Sequence, residues 1–172
     1  ESDICLSAVT SAGKELIDFQ AKNYKSLEKW NKFEAGLVTQ ADLKSDEIIK
    51  NIIKKRSNFG ILSEESREDF NPELDKFFCV DPLCGTVPFS NNLNTWGLTV
   101  SFFSGENSVG AIGCPGTKEY MHCDEKNVSL NGEIYKPDID FPEMIDMTLC
   151  LEIEQGKNWH ELFNKELSWV KN

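Results

Sequence analysis

Apolar residues recur at intervals of three and four near the start of the chain. Cys5, Val9, Ala12, Leu16 and Phe19 fall on one stripe, the spacing of a helix with a single buried face. A helix is expected over residues 3–30. Ala8, Ala12 and Gly13 make part of that face small, which allows close packing. A second helix is expected over 41–56, with Ile48, Ile49, Ile52 and Ile53 inward. Lys54, Lys55 and Arg56 stand in its last turn, where the helix dipole favours cations. Asn58 and Gly60 end it.

From Ile61 the pattern shortens to strands. Residues 61–63 and 76–80 are candidates, separated by a polar loop holding Asn71-Pro72. The run 98–103 is predominantly apolar and is expected to be buried on both faces. Ser104-Gly105-Glu106-Asn107 then turns the chain into strands over 108–113 and 119–123, an antiparallel meander. Asn131-Gly132 is a tight-turn signal between two further short strands. The acidic, proline-bearing stretch 137–142 reads as a linker. One strand over 147–153 and one helix over 158–170 follow it. The expected division is a metal- and phosphate-binding domain over 1–137, then a linker and the start of a second, incomplete α/β domain over 138–172.

Composition narrows the function. The 172 residues are 40% hydrophobic and 27% charged, with a net charge of −11, as in a globular domain long enough to bury a core. Nucleic acid and anionic membrane surfaces need basic patches and are not expected partners. No apolar run approaches the about 18 residues of a membrane span. Six cysteines stand at 5, 79, 84, 114, 123 and 150 without a CxxC pair. They read as reduced, buried thiols in a cytoplasmic protein. His122 and His160 stand alone and suit packing or surface roles. Ser63 and Ser66 have no nearby histidine to activate them.

The candidate chemistry lies at strand ends. Glu64 and Glu65 follow the strand at 61–63, and Asp81 closes the apolar run before Pro82. Carboxylates at neighbouring strand ends converge, as a hard cation requires. Gly85-Thr86 then makes a turn where the backbone can approach an anion. Thr86 is expected to cap a short helix running through Phe89 to Asn92, with Pro88 in its first turn. Asp42, at the start of the second helix, either serves that helix alone or accepts a hydrogen bond from Thr86 and makes its hydroxyl a better base toward water.

Three segments in this order resemble the inositol monophosphatase family of magnesium-dependent, lithium-sensitive phosphatases. They are Val38-Thr39-Gln40-Ala41-Asp42, Glu64-Glu65-Ser66 and Asp81-Pro82-Leu83-Cys84-Gly85-Thr86. Phe89, the strand 98–103, Val109-Gly110-Ala111 with Pro115, and Leu130-Asn131-Gly132 extend the likeness over about 8–135. The resemblance implies an α+β fold, a layered α/β sandwich with two N-terminal helices packed on a largely antiparallel sheet. It implies hydrolysis of a small phosphorylated alcohol or sugar by metal-activated water. Glu64, Asp81 and the backbone carbonyl of Leu83 would ligate Mg²⁺, with Glu65 reaching a further ion through water. Gly85 and Thr86 would bind phosphate, Thr86 and Asp42 would activate water, and lithium would inhibit.

Two departures qualify the expectation. Cys84 stands where the family has a second aspartate that bridges metals. A soft thiolate there favours Mn²⁺ or Zn²⁺ over Mg²⁺. The family's W-D-x-A-A segment is also absent from these residues. The alternative is therefore a degenerate member that binds phosphate or a protein partner without turnover. An unprotected sheet edge makes a homodimer a further candidate.

Overall fold

The computed structural model describes residues 1–26, 29–32, 36–66 and 75–136. The chain divides into two units, Glu1–Lys136 and Pro137–Asn172. The second lies outside the described residues. With it go the expected linker, the strand over 147–153, the helix over 158–170 and Cys150, as does the loop holding Asn71-Pro72.

The first helix, α1 (Ser2–Asn23), buries Ile4, Cys5, Ala8, Val9, Ala12, Gly13, Leu16 and Gln20 along one face. It ends seven residues before the expected boundary. Past Phe19 the apolar stripe fails, Asn23 turns its side-chain amide back onto the Phe19 carbonyl at 2.9 Å, and Ser26 N–H closes a turn on Asn23. The chain then forms a hairpin of β1 (Lys29–Lys32) and β2 (Gly36–Thr39). The second helix, α2 (Gln40–Arg56), matches its expected span and buries Ile49 and Ile53 completely.

Seven further strands form one sheet in sequence order: β3 (Gly60–Ser63), β4 (Lys76–Cys84), β5 (Gly97–Ser104), β6 (Asn107–Cys114), β7 (Glu119–Cys123), β8 (Val128–Leu130) and β9 (Glu133–Ile134). Only β3 and β4 run parallel, and the rest is the expected antiparallel meander. The β8–β9 turn holds Asn131 and Gly132 at φ of 51° and 86°. Two successive positive φ values suit the twist of a two-residue hairpin.

The two helices pack on each other and on the same face of the sheet, α1 over β5 to β7 and α2 over β4. Glycine sets how close α1 comes. A Cβ on Gly113 would meet Val9 Cγ1 at 2.6 Å, and one on Gly13 would meet Pro115 Cγ at 2.7 Å. The core between the layers joins Val9, Leu16, Ile49 and Ile53 to Phe78, Val80, Leu98 and Val100.

Strand β5 departs from the expectation of burial on both faces. Leu98, Val100 and Phe102 are buried, while Thr99, Ser101 and Phe103 are half-buried. The helices cover one face only, so burial alternates with the pleat. His122, on β7, is half-buried, and its Nε2 has no hydrogen-bond partner among the described residues. No described helix is long and apolar enough to cross a membrane.

The described cysteines are all free thiols. Cys5 is fully buried, and burial pushes its pKa from 9.0 up to about 12. A folded pKa above the unfolded one stabilises the protein fully below pH 9.0, and the contribution is lost as pH rises toward about 12. The expectation of buried cysteines holds for Cys5 alone among the described ones, since Cys79, Cys114 and Cys123 are half-buried and Cys84 is exposed at the end of β4. Alkylation near neutral pH should therefore modify Cys84 first and Cys5 only upon global unfolding. Peptide mapping over a time course measures both, and Cys5 reacting as fast as Cys84 would contradict the packing of α1 described above.

Candidate functional site

The end of β4 is shaped by a proline that cannot serve a ladder. Pro82 has no N–H to donate, so a strand can hold it only at an edge or an irregularity. Here Asp81 pairs with Thr99 and Cys84 with Gly97, leaving Pro82 and Leu83 opposite the single residue Leu98. This bulge resets the alternation. Pro82 and Leu83 are buried, and Asp81 and Cys84 come to the same face of the sheet, since their partners lie two apart on β5. That is the face away from the helices. β4 thus continues four residues past its expected end.

Glu64 joins Asp81 there. β3 and β4 run parallel with Ser63 beside Val80, and the Glu64 N–H donates to the Val80 carbonyl at 3.1 Å. Glu64 is therefore the next residue along, beside Asp81, at the carboxyl ends of two parallel strands. Glu64 is exposed, while Glu65 and Asp81 are half-buried. One Asp81 oxygen accepts from the Leu83 N–H at 3.2 Å. Among the described residues no three His, Cys, Asp or Glu side chains stand together as a ready cation shell. What the strand ends offer is two carboxylates and, in the bulge, the Leu83 carbonyl. These are hard oxygens that suit one hard divalent cation. Cys84 adds an exposed thiol on the same face.

Beyond the bulge, Gly85 takes φ of 90° and becomes the N-cap of α3 (Thr86–Ser90). A left-handed residue at that point costs glycine nothing. Thr86 is thus the first helical residue and not the cap that the sequence led us to expect. Its hydroxyl does something else. It donates to Asp42 Oδ1 at 2.8 Å across 44 residues of sequence. Pro88 lies in the first turn, as expected. Gln20 of α1 holds the other end of α3, its amide donating to the carbonyls of Phe89 at 2.9 Å and Leu93 at 3.1 Å.

Asp42 serves the start of its own helix and also accepts a hydrogen bond from Thr86. Its Oδ2 accepts from the Thr39 N–H at 2.8 Å and from Thr39 Oγ1 at 2.6 Å, and Thr39 Oγ1 accepts from Ala41 N–H at 3.1 Å, a capping box at the start of α2. Its other oxygen takes the Thr86 proton. Burial raises the Asp42 carboxyl above its ordinary 3.8, and the hydrogen bonds from Thr39 and Thr86 oppose that shift. The contribution of a raised carboxyl to stability is complete below pH 3.8 and fades as pH rises through the folded value. Burial penalises the charged form of Asp42, and its hydrogen bonds reduce that penalty in part.

Five contacts of α2 lay beyond the sequence reading. Ser45 donates to the Pro82 carbonyl at 2.6 Å and ties α2 to the bulge. Asp46 accepts from Ser63 Oγ at 2.5 Å and from Ser66 Oγ at 3.2 Å. Lys50 lies 3.6 Å from Asp46 Oδ2 and donates to Ser66 Oγ at 2.8 Å. The available signal was polar residues at 42, 45 and 46 on the same helical stripe as Ile49 and Ile53. Polar side chains on a buried stripe announce partners across the interface.

Comparison with known proteins follows the same lines. The sequence pattern described as the Inositol monophosphatase family matches residues 3–165. An inositol-1-monophosphatase of Rhizobium meliloti (strain 1021) is 32% identical over 112 residues, 64% of this chain and 41% of that protein. One from Synechocystis sp. is 38% identical over 94 residues, 52% of this chain and 31% of that protein. The chain therefore spans less than half the length of these relatives. Among solved structures, the extragenic suppressor protein suhB from Bartonella henselae superposes with a TM-score of 0.69 at 28% identity, over 77% of this chain and 52% of that one. The Thermotoga maritima IMPase superposes with a TM-score of 0.64 at 22% identity, over 76% and 51%, a likeness of fold.

The Asp42–Thr86 bond makes a direct prediction. In Thr86→Val the buried carboxylate loses one of its three donors, at a cost of about 1–3 kcal/mol. Urea denaturation at neutral pH should show that loss. Because protonation relieves a carboxylate short of donors, the deficit should shrink as pH falls. A variant as stable as the parent at neutral pH would show that the bond contributes nothing.

Proposed function

The chain belongs to the inositol monophosphatase family, and from that premise we propose that it serves hydrolysis of a small phosphorylated alcohol or sugar, with water as the nucleophile. One observation carries the reading. A buried carboxylate, Asp42, holds the hydroxyl of Thr86 at 2.8 Å, one residue after the Gly85 turn and beside the strand ends bearing Glu64 and Asp81.

The residues divide the work as follows. Asp42 accepts the Thr86 proton, which leaves the oxygen lone pairs of Thr86 turned toward a water and makes it an acceptor for the water's proton. The Gly85 and Thr86 N–H groups would bind a phosphate oxygen at the left-handed turn that Gly85 makes. Glu64, Asp81 and the Leu83 carbonyl would hold Mg²⁺, with Glu65 at a further ion through water. A divalent cation bound there lowers the pKa of a water and offsets phosphate charge. Cys84 supplies no hard oxygen, so Mn²⁺ or Zn²⁺ should bind more tightly than Mg²⁺. Lithium inhibition comes with the family likeness.

The test is phosphate release by the gene's complete product from a panel of phosphomonoesters, including an inositol monophosphate, with Mg²⁺ or Mn²⁺. Turnover should need the cation and fall about a hundred-fold or more in Thr86→Val and Asp42→Asn, the scale of general-base catalysis. Phosphate binding with no release in any cation would establish a non-catalytic member instead.

Cys84 gives a second test. Cys84→Asp places a hard, charged oxygen beside Asp81 on the same face. Mg²⁺ affinity by calorimetry and turnover should rise together, and the preference for Mn²⁺ over Mg²⁺ should narrow. No gain in either quantity would remove residue 84 from the cation site.

A further inference from the structure

Two serines and a lysine remain outside the proposed chemistry, and all converge on one carboxylate. Asp46 is 7% exposed. It sits on α2 one turn after Asp42 and accepts Ser63 Oγ at 2.5 Å on one oxygen and Ser66 Oγ at 3.2 Å on the other. Lys50, one turn further along, is 3.6 Å from that second oxygen and 2.8 Å from Ser66 Oγ. Ser63 Oγ also accepts the Glu65 N–H, at 3.4 Å.

These bonds bracket a single short segment. Ser63 closes β3, Ser66 lies three residues on, and Glu64 and Glu65 are the two residues between. We propose that Asp46 is a positioning residue for the proposed cation site, fixing the Glu64-Glu65 turn from behind through Ser63 and Ser66, with Lys50 balancing its charge. The inference rests on the reading of Glu64 and Glu65 as cation ligands, direct and through water.

A purely structural role is a weaker account of the cluster. A buried ion pair is seldom worth more than apolar side chains of the same size. Its neighbours along α2 show the apolar solution, since Ile49 and Ile53 are fully buried. What a carboxylate with two directional acceptors adds is orientation. It holds the hydroxyls on both sides of a two-residue turn whose own side chains must face the other way. Partners behind the ligands of a metal set where those ligands point, and losing one costs about ten-fold or more in metal affinity.

The experiment compares this chain with Asp46→Asn and Ser66→Ala, by calorimetric titration with Mn²⁺ and by hydrogen exchange. Asp46→Asn should bind Mn²⁺ about ten-fold more weakly, and Ser66→Ala less severely so. Exchange should accelerate in peptides covering residues 61–66 and stay unchanged over 98–103. Ser66→Ala leaves the buried charge and Ser63 in place, so it decides the matter if Asp46→Asn fails to fold. Equal Mn²⁺ affinity in a folded variant overturns the proposal. So does faster exchange spread evenly over the sheet, which marks a role in global stability alone. If the parent chain binds no Mn²⁺, the cation-site reading fails. The exchange arm then still judges whether Asp46 holds the turn, and unchanged exchange over 61–66 would overturn that as well.

Discussion

One face of α2 holds three separate pieces of chain in register. Asp42 grips Thr86 at the start of α3, Ser45 grips the Pro82 carbonyl in the bulge, and Asp46 grips Ser63 and Ser66 around the Glu64-Glu65 turn. The same stripe continues as Ile49 and Ile53 into the apolar core. The helix is thus anchored by its second half and reads out polar contacts with its first. Burying these groups is tolerable because each finds its partner. The capping box with Thr39 adds a further constraint, since it fixes where α2 begins and so where Asp42 points.

The bulge in β4 is the complement to that helix. A regular strand would send Asp81 and Cys84 to opposite faces, because they are three residues apart. One extra residue between Asp81 and Cys84 brings them to the same face and leaves the carbonyls of Pro82 and Leu83 outside the regular ladder. Pro82 makes the irregularity obligatory, and Ser45 takes one of the freed carbonyls. The Asp-Pro pair therefore has a mechanical meaning apart from any ligand role. The proline ends regular pairing at the point where the acid must be presented.

Much of this was legible in the sequence because it is local. The span of α2, the meander from β5 to β9 and the Asn131-Gly132 turn follow from periodicity and turn chemistry between near neighbours. The end of α1 was missed because the helix was extended past Phe19, where Asn23 interrupts the apolar stripe and the hairpin of β1 and β2 follows. The one-sided burial of β5 was missed because an apolar run states what a strand tolerates, while the layers beside it decide what is covered. At the site, Asp42 and Thr86 were both singled out, but spacing could not choose between a bond of 44 residues' separation and a local cap. Asp46 and Ser45 were passed over because each looks like surface polarity until its partner on another element is known.

Cys84 shows how the scaffold and the chemistry separate. The bulge is made by Pro82 and Leu83, the helix start by Gly85, and the tie to α2 by Ser45 and Thr86. The side chain at 84 is exposed on the face where Asp81 and Glu64 stand. An aspartate in place of this cysteine would change the charge and hardness that residue 84 presents on that face. On the proposed reading, residue 84 bears on which cation is preferred and how many ions are held. The fold and the competence of the site are for that reason separate questions in this chain, and the second turns on the donors available at the ends of β3 and β4.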